Sequence, residues 1–460
     1  MKCSDFGGQR LEISKELEII NFQLLQQNYL RNGAKEGSAK HWISDDTNSG
    51  KDGKNKIKDQ FISFQKAMKM VIIWGQCIGL NPVTGILQKD VTKMRFIKCS
   101  FQYLFATTLA VLQIIAIILS TYRVFKFPHV DVFGSVAFFT PAFLTTISFI
   151  RIAPKWPTLM KKLIKFGLDE YVHPNVVKRC RIACSVYLGI CILDHVMSIA
   201  TTIVHIVECR EGVNNIREEY IRSMYAWLYE LHVPYDGWLA MILQYLNVLN
   251  TATWNYLDIF IVCISLYLTS IMELINKKIV LTASKNYVPA STWEVLRKDY
   301  NRMINLIKLF DEAFNGLVMI AFANDLFAIC IQLYNVLAKV MKSPNFIDKI
   351  CPGHEGSVYL IVFPVYVTYS TMFLIARFLM MSLVAAGVHS SSLVSLPALY
   401  TVPTTSYCKE VERFQSQIMN ETVAISGLQL FNITRDLVLT VSGTILTYEL
   451  VLLQYNNDDK

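Results

Sequence analysis

Residues 447–455 read TYELVLLQY and close the last apolar segment of the chain, which runs from Gly427 to Tyr455. Thr447 and Gln454 are seven residues apart, so on a helix their side chains face the same side. A Gln side chain surrounded by lipid leaves its amide unpaired, which costs a few kcal/mol. The polar stripe therefore faces protein or water, and it predicts either a helix–helix contact or the wall of a pore.

The same stretch resembles the signature of insect gustatory receptors, which is Thr-Tyr, five mostly apolar positions, then Gln and an aromatic residue. Glu449, directly after the Thr-Tyr pair, makes it similar to the sugar-receptor subfamily. The upstream residues that add to the likeness are Gly427, Phe431, Thr434, Arg435, Gly443, Thr444 and Ile445. Tyr455 departs from the Phe that the family usually has at this position.

The resemblance implies a ligand-gated, non-selective cation channel for mono- or disaccharides, without a cofactor, in the plasma membrane of chemosensory neurons. It implies a homo- or hetero-tetramer with related receptor subunits, whose pore is lined by Thr447, Val451, Gln454 and Tyr455. One chain supplies only one such stripe, so a pore requires several copies around an axis. A ring of neutral Gln side chains binds cations weakly, as a non-selective channel requires.

Composition places the chain in the lipid bilayer. Hydrophobic residues make up 53% of its 460 residues and charged residues 17%, and the mean hydropathy is +0.35. The net charge of +8 is spread between apolar runs, which is typical of membrane topology signals and argues against nucleic-acid binding. The eleven cysteines form no C-x-x-C pair, so no zinc site is predicted.

Seven apolar segments are each long enough for a hydrocarbon layer about 30 Å thick, which predicts an all-α protein with seven transmembrane helices. They lie at about 101–122, 129–150, 182–207, 238–272, 316–338, 357–386 and 427–455. The fourth exceeds the bilayer, and 291–315 carries an amphipathic pattern at Leu296, Tyr300, Ile304 and Ile307. Both indicate helix extensions into the cytosol.

The residues before the first span divide into two parts. Residues 1–66 are polar and rich in charge, which predicts a disordered cytosolic tail. Within 67–100 the apolar run is too short to span, so this segment is predicted to be an interfacial or re-entrant helix. Residues 101–460 then form the channel domain.

Lys and Arg in the connections predict the orientation. The connection 151–181 carries eight of them and 273–315 carries seven. The connections 123–128, 208–237 and 339–356 carry two, three and three. By the positive-inside rule the N-terminus lies in the cytosol and the C-terminus outside the cell. This membrane orientation is opposite to that of a G-protein-coupled receptor.

Polar residues inside the spans are candidates for function, because they are costly in lipid. With this orientation a set of them forms a cup open to the outside, in which amides and carboxylates bind sugar hydroxyls and a Trp packs on the sugar ring. The alternative is that they bond to one another and hold the bundle together. The predicted ligand-binding residues are Asp194, Thr201, His205, Asn250, Trp254, Asp258, Asp325, Gln332 and Tyr366.

Two pairs link distant parts of the chain. Arg377 and Glu449 lie in the last two spans with opposite charges, which predicts either a salt bridge or a gating contact. Cys209 and Cys351 both lie in outward connections, where a disulfide forms readily.

The sequence contains no G-x-S-x-G, H-E-x-x-H or P-loop motif, so an enzyme is not predicted. The alternatives to a sugar channel are a metabotropic seven-span receptor, a chemoreceptor channel for a bitter compound or an odorant, and a sugar transporter. The inverted orientation argues against the first, and the lack of internal repeats argues against the last.

Overall fold

The structure is a computed structural model that describes residues 53–88, 93–126, 133–168, 171–173, 175–210, 214–230, 232–336, 351 and 358–455. For residues 53–63, 133, 227, 335 and 449–455 it describes the backbone alone. The helices are α1 Gly53–Cys77, α2 Phe101–Lys126, α3 Phe133–Ile152, α4 Trp156–Lys165, α5 Val176–Cys209, α6 Ile216–Met224, α7 Ala226–Tyr229, α8 Gly237–Ala283, α9 Ala290–Asn335, α10 Tyr359–Leu393, α11 Leu396–Tyr400, α12 Lys409–Asn420 and α13 Arg435–Tyr455. The strands are β1 Ser426–Gly427 and β2 Phe431–Asn432.

Six of the described helices are long and apolar enough to cross a membrane, namely α2, α3, α5, α8, α9 and α10. The seventh is α13, whose 21 residues extend about 30 Å at 1.5 Å per residue. The predicted all-α class is confirmed. The predicted placement of the two termini on opposite sides of the membrane stays a prediction.

Helices α8 and α9 form the centre of the bundle and extend beyond a bilayer at one end. They contain 47 and 46 residues, more than twice the number that spans the hydrocarbon layer. The predicted apolar stripe of the α9 extension is buried, because Leu296, Tyr300 and Ile304 are at most 1% exposed. We call this end, which carries the connections 151–181 and 273–315, the basic end.

A short helix, α12, packs on the α9 extension at the basic end. The rings of Tyr300 and Phe414 lie 5.2 Å apart, and Val411 and Phe414 are fully buried. Arg297 Nε donates a 3.0 Å hydrogen bond to Glu410, which lowers the pKa of that carboxyl. This pair therefore holds α12 against α9 alongside the apolar contact.

The N-terminal helix corrects the predicted boundary at residue 66. Helix α1 begins at Gly53, inside the segment predicted to be disordered, and ends at Cys77. Phe64, Met68 and Val71 are at most 1% exposed, so this part of the helix belongs to the core. Lys66 and Lys69 are exposed on the other face, and such charged residues concealed the periodicity in a reading based on composition. The interfacial or re-entrant placement of 67–100 stays a prediction. The predicted disorder of residues 1–52 concerns residues outside those described.

The structure also corrects the start of the last predicted span. Residues 426–432 form a β-hairpin, and the helix begins only at Arg435. Leu428 and Gln429 have positive φ angles of 51° and 59°, which no α-helix accommodates. Ser426 is held by Asp311 of α9, whose carboxylate accepts hydrogen bonds from its backbone N–H and from its hydroxyl.

Candidate functional site

The polar faces of α5 and α10 meet in an antiparallel register. The rings of His205 and Tyr359 lie 4.9 Å apart, and Tyr359 N–H donates a 3.0 Å hydrogen bond to Glu208. Further along, Ser370 lies near the Asp194 carboxyl group, and Ser198 lies near the Tyr366 hydroxyl. We call this set the α5–α10 seam, and its members are Asp194, Ser198, His205, Tyr359, Tyr366 and Ser370.

The seam has unused hydrogen-bonding capacity. Asp194 Oδ1 is shielded from solvent and has no hydrogen-bond partner among the described residues. Asp194, His205 and Tyr366 are nevertheless only half-buried when each residue is taken as a whole. The seam thus combines an acceptor, hydroxyls and two rings at a partly open helix contact.

A fully buried ion cluster lies further toward the basic end. Arg377 of α10 approaches Asp258 of α8, with Nε and Oδ2 2.9 Å apart, and it also donates to Asp325 of α9. Arg377 Nη1 donates a 3.0 Å hydrogen bond to Asn255, and the guanidinium lies 4.8 Å from the centre of the Trp254 ring. The three charged side chains are at most 2% exposed, and the cluster joins α8, α9 and α10.

The charges of this Arg377 cluster do not balance. Two carboxylates face one guanidinium, and Tyr187 of α5 donates a 3.0 Å hydrogen bond to Asp258 Oδ2. Asp258 Oδ1 and Asp325 Oδ2 have no hydrogen-bond partner among the described residues. Because buried ions are stable only when paired, the packing of four helices depends on the one guanidinium.

The predicted ligand-binding residues fall into separate groups. Asp194, His205 and Tyr366 lie in the seam, whereas Trp254, Asp258 and Asp325 lie in the Arg377 cluster. The other three bond within the bundle: Thr201 donates to the Met197 carbonyl (2.8 Å), Asn250 accepts from Gln113 (2.7 Å) and Gln332 donates to Thr371 (3.2 Å). Their binding role stays a prediction.

Arg377 has three partners among the described residues. Its three nitrogens meet Asp258, Asp325 and Asn255. The side chain of Glu449 is outside those described, so the predicted pair of Arg377 and Glu449 stays a prediction. Sequence reasoning also missed Tyr187, although it lies seven residues before Asp194 and extends the same helical stripe.

An aromatic contact connects the Arg377 cluster with the hairpin before α13. Phe378, next to Arg377, lies 5.4 Å from Phe322 of α9, measured between ring centres. Phe322 in turn lies 4.9 Å from Phe431 of β2. We call Phe322, Phe378 and Phe431 the aromatic clamp. It was not predicted, since the segment was expected to be helical.

The predicted pore helix exposes both polar and apolar side chains on the outside of the single chain, among them Leu446 and Tyr448. Thr444 and Thr447 are exposed, and each hydroxyl donates a 2.8 Å hydrogen bond to the carbonyl four residues earlier. Val441 and Ile445 instead pack against the core. The side chains of Val451, Gln454 and Tyr455 are outside those described, and their pore role stays a prediction.

The disulfide that the sequence allowed but left open is present. Cys209 and Cys351 are bonded, with their Cα atoms 4.6 Å apart. The bond lies next to one end of the seam, because Glu208 adjoins Cys209 in the chain and accepts the hydrogen bond from Tyr359 N–H. This end of the bundle is therefore tied covalently.

Comparison with known proteins decides the family. The family model described as "Trehalose receptor" matches residues 47–460. This chain belongs to the trehalose receptor family. Similar members from Drosophila melanogaster are the gustatory receptor 5a for trehalose, 28% identical over 405 residues, and the gustatory receptor for sugar taste 64f, 28% identical over 417 residues. The alignments cover 86% and 87% of this chain and 86% and 83% of the relatives.

A solved structure supports the fold of this trehalose receptor family member. The insect olfactory receptor OR5 from Machilis hrabei matches with a TM-score of 0.57 and 13% identity. The match covers 86% of this chain and all of the other. The complex of OR5 with eugenol matches with a TM-score of 0.55.

Together these findings identify a multi-pass membrane protein and chemosensory receptor. The relatives are receptors and not enzymes, as the sequence predicted. The predicted sugar-receptor subfamily of insect gustatory receptors is confirmed by the family model and by the sugar-taste relatives.

Proposed function

We propose that this chain is the subunit of a sugar-gated, non-selective cation channel in the plasma membrane of chemosensory neurons. The observation that carries the proposal is its likeness, over most of its length, to receptors named for trehalose and for sugar taste.

The α5–α10 seam is the proposed sugar site. A sugar needs acceptors and donors at several angles, which Asp194, Tyr366 and Ser370 supply. Its apolar C–H face packs on an aromatic ring, which Tyr366 supplies near Asp194. The ring pair of His205 and Tyr359 lies about 16 Å further along the seam, toward its outer end. A sugar hydroxyl that donates to Asp194 Oδ1 satisfies an oxygen that otherwise has no partner.

The Arg377 cluster and the aromatic clamp carry the proposed signal to the pore. A sugar in the seam favours a different spacing of α5 and α10, and Tyr187 and Arg377 tie both helices to the cluster. The clamp joins this cluster to Phe431, which directly precedes α13. Four copies, of this chain alone or with related subunits, then surround the pore with one α13 each.

Binding of radiolabelled trehalose to the purified full chain tests the sugar site. The variant Asp194→Asn is expected to weaken binding about tenfold, because it loses a charged acceptor. The control is Asp236→Asn, which also removes one carboxylate but keeps the cap on α8, since Asn caps as well as Asp. If both variants bind trehalose equally, the seam is not the sugar site. If the wild type binds neither trehalose nor other sugars, the ligand is not a sugar.

A further inference from the structure

Helix α4 at the basic end has two distinct faces. Trp156, Met160 and Leu163 are at most 2% exposed and pack on the core. Lys161, Lys162 and Lys165 are exposed on the other side. The helix is thus fixed to the bundle by its apolar face and presents lysines outward.

The start of α5 presents further cations where the apolar surface begins. Lys178 and Arg181 are exposed. The next residues outward on this surface, Ile182 and Val186, are 52% and 56% exposed. Exposed apolar side chains on a membrane-spanning helix face lipid chains, so Arg181 lies at the boundary between the chains and the headgroups.

Both groups of cations lie at the same depth along α8. Trp156 of α4 contacts Phe260, with ring centres 6.4 Å apart, and Cys180 of α5 contacts the carbonyl of Cys263. Phe260 and Cys263 are one helical turn apart. We call this set the cationic belt, and its exposed members are Arg151, Lys155, Lys161, Lys162, Lys165, Lys178 and Arg181.

The belt differs from the opposite end of the molecule in its charge balance. At that end Arg123 pairs with Glu230, Arg210 with Glu219, and Arg222 with Glu218. Among the ion pairs of the described residues none involves a member of the belt, while the neighbouring Arg179 pairs with Glu273. The belt therefore holds seven positive charges at one level of the bundle that form no ion pair within the part of the chain that the structure describes.

We infer that the cationic belt binds the anionic headgroups of phospholipids in the leaflet that it borders. Lysines near a membrane surface attract acidic lipids, and several in one place add their effects. An apolar wall beside Arg181 receives the acyl chains of the same lipids, which a free phosphate lacks. The inference needs neither the sugar ligand nor the pore.

Lipid selectivity of the reconstituted full chain tests this inference. The chain is placed in phosphatidylcholine vesicles, and electron spin resonance compares its association with spin-labelled phosphatidylserine and spin-labelled phosphatidylcholine. We expect a preference for phosphatidylserine that salt weakens. The triple variant Lys161→Gln, Lys162→Gln, Lys165→Gln is expected to reduce this preference at least about fivefold.

The matched control removes the same charge further from the membrane. Lys277, Lys285 and Lys409 are exposed at the basic end, and α8 places Lys277 about 20 Å beyond Cys263. Their replacement by Gln is expected to leave the lipid preference unchanged. The inference is overturned if the wild type shows no preference, if the belt variant keeps it, or if both triple variants lose it equally.

Discussion

Arg377 is the single residue on which the buried charge balance depends. Its removal in Arg377→Ala leaves Asp258 and Asp325 buried without a counter-charge, which costs about 3–5 kcal/mol in comparable cases. We expect a large drop in the thermal unfolding temperature of the purified chain in detergent. Arg413→Ala is the control, because that exposed arginine pairs with Glu410 at the surface, where ion pairs contribute little to stability.

A combined variant separates charge from packing. In Arg377→Met with Asp258→Asn and Asp325→Asn, no ion is left in the cluster, so most of the lost stability should return. A combined variant as unstable as Arg377→Ala would show that the cluster acts through shape and not through charge.

For single residues, the sequence predicted which helix face they occupy but not which residues of other helices they contact. The spacing of Asp194, Thr201 and His205, by seven and then four residues, places them on one face of α5, and two of them lie in the seam. It could not pair Arg377 with Asp258, which lies on another helix more than a hundred residues away. Such a pairing depends on the register between helices, which spacing within one helix does not contain.

Among the elements, the hairpin before α13 transmits the proposed signal. Phe431→Ala removes one ring of the aromatic clamp, so we expect a smaller maximal sugar-evoked current with little change in the half-maximal sugar concentration. Leu430→Ala is the control, because this neighbour is 75% exposed. Patch-clamp recording measures both quantities, and a loss of current shared equally by the two variants would argue against the clamp.

The hairpin also explains why the last span was predicted to begin too early. Residues 427–434 are apolar enough to continue a helix, but Asp311 captures Ser426 and Phe431 packs on Phe322. Tertiary contacts therefore override local propensity here. The long helices were predictable because their apolar stretches contain at least as many residues as a helix needs to cross a bilayer.

Across the whole molecule, one disulfide joins residues 142 apart in sequence. Cys209→Ser with Cys351→Ser releases this constraint, and we expect a loss of roughly 2–5 kcal/mol in stability. Thermal unfolding of the purified variant measures the loss. Cys408→Ser, which removes a free thiol, should leave the unfolding temperature unchanged. If the double variant unfolds at the same temperature as the wild type, the contacts around Glu208 and Tyr359 are enough to hold this end of the bundle together.

Assembly into a pore predicts which face of α13 becomes accessible to ions. Thr447→Cys places a thiol on the exposed face, and a charged thiol reagent should then block most of the current irreversibly. Ile445→Cys is the control, because Ile445 packs against the core of its own chain. Block of the control, or of the wild type with its natural cysteines, would contradict this arrangement.

The most direct test of the central claim is the whole-cell current of cells that express this chain, alone and with related subunits. Trehalose and a panel of other sugars are applied from outside while G-protein signalling is blocked. The account predicts a rapid inward cation current that persists under the block and is absent from untransfected cells. A sugar response that disappears under the block would contradict the channel and indicate a metabotropic receptor.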